Sequence, residues 1–316
     1  MGEFELIRQY FQPLAAKART GQLVLGPGDD CAIQRVPPGR DLVFSVDTLV
    51  EGVHFPLDYS SSHLGWRALA VATSDLAAMG AEPVCFTLAL TLPAADPLWL
   101  SGFAEGLARA SEAFDIALAG GDTTRGPLTI SLQVHGTVAT DRAIRRSGAR
   151  PGDLICVSGP LGSAGAALDY LEDPEPDSVR QAVLRRYHFP EPRLALGQLL
   201  AGKASAAIDI SDGLLADLQH ILDASAVGAD LDAGTIPMMP ELQQLQGGQA
   251  LSLALTAGDD YELCVAIAPD VLAELAPEAR AALTVIGRIR KAPGVHLAGA
   301  NLAEVRPGFD HFGRVV

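Results

Sequence analysis

The chain has 316 residues, of which 48% are hydrophobic and 19% are charged, and its formal net charge is −15. This length accommodates two domains of ordinary size, and the apolar content is typical of a folded chain with a sizeable core. The negative charge disfavours nucleic acid or an anionic membrane surface as the main partner, and no apolar run is long enough to span a bilayer.

The cysteines and the N-terminal residues predict a cytoplasmic protein. Glu3, Glu5 and Arg8 leave no apolar segment of the kind that a signal peptide needs. The four cysteines are far apart and form no Cys-x-x-Cys pair: Cys31, Cys85, Cys156 and Cys264. Each lies in or beside an apolar run, so we expect reduced, buried thiols.

Apolar periodicity predicts alternating helices and strands in the first part of the chain. Apolar residues from Phe4 to Leu14 have helical spacing, and β-forming residues from Leu42 predict a buried strand that ends on Ser45, Asp47 and Thr48. The same criteria predict further helices over 63–79 and 97–114, and further strands over 85–92, 116–119 and 128–138.

The composition changes between residues 140 and 153, where four arginines cluster with glycine and proline. We place the domain boundary here, which gives an N-terminal domain over 1–140 and a C-terminal domain over 141–316. In the second domain the pattern predicts strands over 154–158, 251–255 and 263–267 and a helix over 214–222. The element order favours an α/β (α+β layered) fold in each domain.

Acidic residues recur beside Gly, Ser or Thr at the edges of apolar sequence. Six short motifs share this pattern: Gly28-Asp29-Asp30, Ser45-Val46-Asp47-Thr48, Ser74-Asp75, Gly120-Gly121-Asp122, Asp209-Ile210-Ser211-Asp212-Gly213 and Gly258-Asp259-Asp260. A buried carboxylate requires a partner, and the chain has only three lysines. Converging carboxylates of this kind indicate hard cations, and Mg²⁺ in particular, which is usually held by a few carboxylates and substrate phosphates.

Several motifs admit two interpretations. The segment from Gly159 to Gly165 resembles a phosphate-binding loop, but it lacks the P-loop lysine, which favours a structural turn. Arg146 is a candidate phosphate clamp or part of a solvated basic face. His54 is a candidate base, a phosphate contact or a structural histidine. Asp75 falls inside a helical run, where it either reaches a site or is exposed.

Taken together, the motifs resemble the thiamine-monophosphate kinase family over the whole chain. The matching segments are Gly-Asp-Asp-Cys-Ala at 28–32, Val-Asp-Thr-Leu-Val-Glu-Gly-Val-His-Phe at 46–55, Ser-Asp-Leu-Ala-Ala-Met-Gly-Ala at 74–81, Gly-Gly-Asp-Thr-Thr-Arg-Gly at 120–126, Asp-Ile-Ser-Asp-Gly-Leu at 209–214, Gly-Asp-Asp-Tyr-Glu-Leu at 258–263 and Gly-Phe-Asp-His-Phe at 308–312. This family is related to aminoimidazole-ribonucleotide synthetase and selenophosphate synthetase.

The resemblance implies a kinase that makes thiamine diphosphate from thiamine monophosphate and ATP. It also implies several Mg²⁺ ions and a homodimer in which the mixed sheet of the N-terminal domain is shared. The implied metal ligands are Asp30, Ser45, Val46, Asp47, Asp75, Asp122, Asp209 and Asp212. The implied ATP contacts are Gly121, Asp122, Arg146 and Ser211, and the implied substrate contacts are His54, Glu262 and Phe312.

Among these residues, Asp47, Asp75, Asp122 and Asp212 are the predicted catalytic group. Val46 stands where the family often has Thr, so a metal contact there must use its backbone carbonyl. The strands over 85–92 and 128–138 are the ones we expect to build the shared sheet. Two rival functions are a selenophosphate synthetase-like enzyme and a nucleotide-sensing module without catalysis. The reactive Cys of the former is not matched, because Cys31 follows Gly-Asp-Asp.

Overall fold

The structure, a computed structural model, describes residues 3–15 and 21–300. It divides into an N-terminal unit, formed by residues 1–76 and 81–141, and a C-terminal unit, formed by residues 77–80 and 142–316. Both units combine mixed β-sheets with helices, which confirms the predicted fold class. Within the described ranges, no helix is both long enough and apolar enough to cross a membrane.

The N-terminal unit begins with a helical segment in which a π-helical stretch, Ile7–Phe11, separates two short α-helices. The elements of this unit, in chain order, are α1 (Glu3–Leu6), α2 (Gln12–Ala15), β1 (Leu23–Leu25), β2 (Ile33–Gln34), β3 (Arg40–Val50), α3 (Ser61–Ala78), β4 (Glu82–Leu92), α4 (Pro97–Phe114), β5 (Ala117–Arg125) and β6 (Thr129–Ala139).

Four of these strands form one sheet in the order β3-β6-β4-β5. The crossover helix α4 joins β4 to its parallel neighbour β5, as a parallel connection requires. Asp96 caps this helix, because its side chain accepts hydrogen bonds from the amides of Leu98 (2.8 Å) and Trp99 (3.3 Å). Helices α3 and α4 approach so closely that a Cβ at Gly106 would overlap the Ser62 carbonyl oxygen.

The C-terminal unit contains the remaining elements, which are β7 (Leu154–Val157), α5 (Ser163–Ala167), α6 (Ser178–His188), α7 (Leu194–Leu200), β8 (Ala206–Asp209), α8 (Leu214–Ser225), β9 (Gly228–Asp232), α9 (Pro240–Gln246), α10 (Ala250–Thr256), β10 (Leu263–Ile267), α11 (Pro269–Glu274), α12 (Pro277–Ala281), β11 (Thr284–Arg290) and β12 (Gly294–Ala298). Its six strands form a mixed sheet in the order β12-β9-β11-β7-β10-β8.

Three local predictions were wrong. The first strand continues past Ser45 and Asp47 to Val50, because its full length pairs with β6. Gly121 and Asp122 lie inside β5 instead of in a turn after it. Residues 251–255 belong to helix α10, since Ala254 and Leu255 share a buried face against the core of the C-terminal unit. Short apolar runs fit either type of element, and packing decides between them.

Candidate active site

The N-terminal unit brings together Ser45, Asp47 and Asp75, which we call the acidic group. Ser45 and Asp47 are two residues apart on β3, so they project from the same face of the strand. Asp75 approaches them from α3, and the Ser45 hydroxyl donates a hydrogen bond to Asp75 Oδ2. Asp75 is therefore half-buried against β3 and not exposed, and its role at a metal site stays a prediction.

The acidic group carries negative charge that is not neutralised. Burial, together with the neighbouring charge of Asp75, raises the pKa of Asp47 to about 6. Two carboxylates that repel each other in a partly buried position are disfavoured unless a cation joins them. The oxygens of Asp47, Asp75 and Ser45 are hard ligands of the kind that Mg²⁺ prefers.

The remaining acidic candidates of the N-terminal unit lie elsewhere in it. Asp30 is exposed in the turn after β1. Gly121 lies in the same transverse row of the sheet as Asp47, with Leu132 and Leu88 between them. Three inter-strand steps put these two positions roughly 14 Å apart along the sheet. The sheet therefore does not bring Gly121 and its neighbour Asp122 into the acidic group, and their predicted roles stay predictions.

Among the described residues, no group of three or more His, Cys, Asp or Glu side chains is arranged as a ready metal cage. A pair of carboxylates with a hydroxyl is nevertheless a usual protein contribution to a Mg²⁺ site, because substrate phosphates and water supply the other ligands. The acidic group thus fits the predicted ion by the chemistry of its donors.

His54 lies in the segment that follows β3, and its orientation is fixed by the backbone. The amide of Val50 donates a hydrogen bond to His54 Nδ1 at 3.0 Å. A nitrogen that accepts a hydrogen bond from an amide carries no proton, so the neutral ring is protonated at Nε2. In this tautomer Nε2 is a hydrogen-bond donor. It is therefore the atom through which the predicted contact of His54 with a substrate phosphate would be made.

The nucleotide candidates of the C-terminal unit lie on two loops. Ser211 and Asp212 are half-buried in the loop that joins β8 to α8, and Asp209 is buried at the end of β8. Arg146 is exposed in the segment before β7. Phe312 lies outside the described residues, so its predicted substrate contact stays a prediction.

Glu262 is the most completely enclosed of the predicted site residues. Its side chain is fully buried, and Arg193 grips it with two hydrogen bonds, from Nε to Oε2 (2.7 Å) and from Nη2 to Oε1 (2.5 Å). Arg186 Nη2 donates to Oε1 at 2.5 Å, and the Ser158 hydroxyl donates to Oε2 at 2.6 Å. We call Glu262 with these three partners the buried arginine cluster.

The electrostatics of this cluster favour the ionised form of Glu262. Burial alone raises the pKa of Glu262, but the hydrogen bond from Arg193 and the positive charges of Arg193 and Arg186 outweigh burial and lower it. The carboxylate is therefore ionised and its oxygens are engaged within the protein. Sequence reasoning missed both arginines, because each lies outside the motifs that it singled out.

The glycine-rich segment after β7 uses its amides inside the protein. The Gly162 amide donates to Asp260 Oδ2 at 2.8 Å, and the Leu161 amide donates to the Pro237 carbonyl at 2.9 Å. A Cβ at Gly159 would overlap the Glu262 carboxylate. These amides are unavailable to a phosphate, which supports the structural interpretation of this segment.

The cysteines are all free thiols, but their burial differs from the prediction. Burial raises the pKa of Cys85 to about 11 and that of Cys156 to about 12, and Cys264 is buried as well. Cys31 is exposed, so the expectation of a buried thiol at this position was wrong. Cys31 lies in an exposed stretch, residues 28–33, in which its apolar neighbours Ala32 and Ile33 are exposed as well and so do not bury it.

Comparison with known proteins identifies the class to which this fold belongs. Residues 28–138 match the AIR synthase related protein, N-terminal domain, and residues 150–299 match the C-terminal domain of the same family. The chain is therefore an AIR synthase related protein with both domains.

Individual relatives show to which family within this class the chain belongs. The chain is 44% identical to the thiamine-monophosphate kinase of Salmonella typhimurium, over 84% of this chain and 82% of the relative. The crystal structure of thiamine-monophosphate kinase from Stenotrophomonas maltophilia K279a has a TM-score of 0.83 and 43% identity, covering 89% of this chain and 92% of that one. AaThiL complexed with AMPPCP and TMP has a TM-score of 0.81 and 31% identity, covering 88% and 89% of the two chains. The chain belongs to the thiamine-monophosphate kinase family, and it is a phosphotransferase.

The buried arginine cluster gives a prediction about stability. Glu262→Gln removes the charge that both arginines share, so we expect the free energy of unfolding to fall by roughly 2–3 kcal/mol. Glu191→Gln is the matched control, since Glu191 is exposed and lies 4.0 Å from Arg193, and we expect a loss below about 0.5 kcal/mol. Denaturant unfolding at neutral pH measures both values.

The same prediction has a pH dependence. The pKa of Glu262 is lowered on folding, so its contribution to stability is complete above its ordinary value of 4.5 and is lost as the pH falls through the lowered value. The difference between the wild type and Glu262→Gln should therefore shrink in acid. A difference that is the same at pH 7 and in acid would contradict the assignment of the stabilisation to the ionised carboxylate.

Proposed function

We propose that this protein transfers the γ-phosphoryl group of ATP to thiamine monophosphate and releases thiamine diphosphate and ADP. Family membership carries the proposal, supported by AaThiL, a relative that was crystallised with AMPPCP and TMP. The acidic group adds chemical support, because phosphoryl transfer between two anionic molecules needs cations to offset their charge.

In this proposal, Mg²⁺ is the cation that the acidic group holds. Asp47 and Asp75 would be its carboxylate ligands and Ser45 a hydroxyl ligand, while Val46 would contribute its backbone carbonyl. The family resemblance assigns Asp30, Asp122, Asp209 and Asp212 as ligands among the several Mg²⁺ ions that it implies. When bound, Mg²⁺ neutralises the phosphate charge that develops during transfer.

The protein's own residues bind and align the two substrates. Gly121, Asp122, Arg146 and Ser211 would hold ATP. His54 would donate from Nε2 to the phosphate of thiamine monophosphate, and Phe312 would contact the rest of that substrate. Because the oxygens of Glu262 are occupied, we propose that it supports the substrate site by holding Arg186 and Arg193 in place.

We propose that the transfer is direct. An ionised phosphate oxygen of thiamine monophosphate attacks the γ-phosphorus, the bond from that phosphorus to the β–γ bridging oxygen breaks, and ADP leaves with the electron pair. The acceptor needs little help from a base, because it is already ionised at neutral pH. Burial raises the pKa of Asp260 well above its ordinary value, which disfavours the ionised form that a nucleophile needs.

We also propose that the protein is a homodimer that uses β3. The strand is at the edge of its sheet, and Leu42, Phe44 and Val46 are 42%, 61% and 63% exposed on the face opposite Asp47. An exposed apolar edge strand invites pairing with another strand. The strands over 85–92 and 128–138, which we expected to build the shared sheet, lie inside it as β4 and β6 and have no free edge. A cytoplasmic location stays a prediction.

The central experiment measures product from purified protein with ATP, Mg²⁺ and thiamine monophosphate. We expect thiamine diphosphate in the wild type and a loss of at least about 100-fold in Asp47→Asn, which removes one charged ligand. In metal-free protein the same substitution should raise the melting temperature, because it ends the repulsion between Asp47 and Asp75.

Addition of Mg²⁺ with ATP should then stabilise the wild type more than Asp47→Asn. Glu51→Gln, a nearby acidic residue outside the acidic group, is the matched control and should behave like the wild type. A variant Asp47→Asn that is folded and keeps wild-type turnover would overturn the metal assignment. ATP hydrolysis without thiamine diphosphate would favour one of the rival functions.

His54→Ala should weaken the use of thiamine monophosphate more than the use of ATP. The loss of one hydrogen bond to a charged phosphate predicts a KM for thiamine monophosphate about tenfold higher, with the KM for ATP changed less than about twofold. Steady-state kinetics with each substrate varied in turn provide the test. An equal rise in both KM values would argue against a phosphate contact.

Phe44→Asp should convert the dimer into a monomer, because it places a charge at the centre of the apolar face of β3. Analytical ultracentrifugation at micromolar concentration is the measurement. Leu98→Asp is the matched control, since Leu98 is also exposed but lies on α4. A wild type that sediments only as a monomer is the result that would exclude this interface.

Direct transfer predicts inversion of configuration at the transferred phosphorus, since one in-line displacement inverts it and two restore it. ATP made chiral at its γ-phosphorus with oxygen isotopes and sulfur reports the outcome. Retention would require a phosphorylated enzyme intermediate and would direct attention to Asp29 or Asp259.

A further inference from the structure

Helix α8 connects the two loops of the C-terminal unit to which the proposed ATP contacts belong. The loop 211–213 precedes its first residue, and its last residue, Ser225, contacts the loop that follows Arg146. We propose that Asp217 and Ser225 are positioning residues for ATP: through them, α8 fixes the loops that carry Ser211 and Arg146. This inference rests on the proposed function, because it assumes that these loops bind the nucleotide.

Asp217 organises the first loop from within α8. Its side chain is only 2% exposed, and one carboxylate oxygen, Oδ2, accepts hydrogen bonds from three consecutive amides: Ser211 (3.0 Å), Asp212 (3.0 Å) and Gly213 (3.1 Å). Successive amides that converge on one point form a nest for an anion. Here the protein's own carboxylate fills the nest, so the backbone of the loop has one preferred conformation.

The opposite side of the same loop is also fixed. The Asp259 amide donates to the Ser211 carbonyl at 2.9 Å, and a Cβ at Gly258 would overlap that carbonyl oxygen. Gly213 has φ +115°, a conformation that favours glycine, and its Cβ position lies 2.6 Å from the Thr256 carbonyl oxygen. Because these three amides face Asp217, we expect a ligand at this loop to contact the side chains of Ser211 and Asp212 instead of the amides.

Ser225 acts in a similar way at the other end of α8. Its hydroxyl oxygen accepts hydrogen bonds from the amides of Gly148 and Ala149, both at 3.1 Å, and it donates to the Arg146 carbonyl at 3.3 Å. One hydroxyl therefore satisfies three backbone groups of the segment 146–149. Ser225 thereby fixes the backbone of Arg146, from which the Arg146 side chain extends.

The body of α8 provides the stiffness that this arrangement needs. Four apolar side chains of the helix are buried in the core of the C-terminal unit: Leu214, Leu218, Ile221 and Leu222. A displacement of the helix would disturb this packing, which interiors resist. The helix thus links the two loops to the core of the unit. It contacts the first loop through the side chain of Asp217 and the second through that of Ser225.

The test compares Asp217→Asn and Ser225→Ala with a matched control on the same helix. Asp223→Asn is that control, because Asp223 is exposed and its side chain bonds Gln219 within the helix. The loss of charge-assisted bonds predicts that Asp217→Asn raises the KM for ATP about tenfold and Ser225→Ala about threefold, with the KM for thiamine monophosphate changed less than about twofold. The control should stay within about twofold of the wild type in both values.

A double variant tests whether Asp217 acts through Ser211. If it does, Asp217→Asn combined with Ser211→Ala should raise the KM for ATP no more than the larger of the two single effects. Circular dichroism and thermal melts establish that each variant is folded, and Ser225→Ala, which removes only one hydroxyl, gives the result if Asp217→Asn does not fold.

The outcomes separate this inference from the proposed function. A wild type that makes no thiamine diphosphate contradicts the proposed function. An active wild type whose KM for ATP is unchanged in both Asp217→Asn and Ser225→Ala contradicts the positioning role. An equal rise in both KM values contradicts it as well, because a general loosening of the unit does not select ATP.

Discussion

A carboxylate that is removed from water must be compensated, and this constraint explains the placement of the acidic residues. Glu262 is compensated by two arginines, and Asp217 by three backbone amides. Burial raises the pKa of Asp260 well above its ordinary value, which favours the neutral form of its carboxyl. Asp47 lies beside the charge of Asp75, which increases the cost of burial.

Burial raises the pKa of Asp217 to about 6 as well, so the difference between Asp217 and Asp47 lies in their contacts: three amides donate to Asp217, whereas Asp47 lies beside a second carboxylate. Glu262 packs against Gly159 and accepts hydrogen bonds from the arginines, and Asp217 fixes the loop after β8. Both carboxyl groups therefore make their contacts within the protein. Asp47 and Asp75 gain nothing from each other, and a cation supplied from outside is the simplest way to relieve their repulsion. The electrostatic cost at the acidic group supports the metal site that we propose there, because groups with perturbed pKa values concentrate at active sites.

The sequence predicted the order and type of most elements because apolar periodicity is local. It placed α4 over residues 97–114, which are its observed bounds, since Asp96 and Pro97 mark the start of the helix. It misjudged residues 251–255, because a short apolar run has no period of its own. Asp217 was missed for another reason: only the three-dimensional loop shows that its carboxylate meets three amides.

The occupied amides also restrict how this chain binds phosphate. In P-loop proteins, the backbone of a glycine-rich loop cradles the phosphates. Here the amides at Gly162 and at Ser211 already serve the protein's own side chains, Asp260 and Asp217. In the function that we propose, cations, hydroxyl groups and guanidinium groups such as that of Arg146 would therefore hold the phosphates in place of these amides. The net charge of −15 favours that arrangement, because the overall field of such a chain does not attract ATP. The abundant acids would then serve to recruit the phosphate-binding charge from solution.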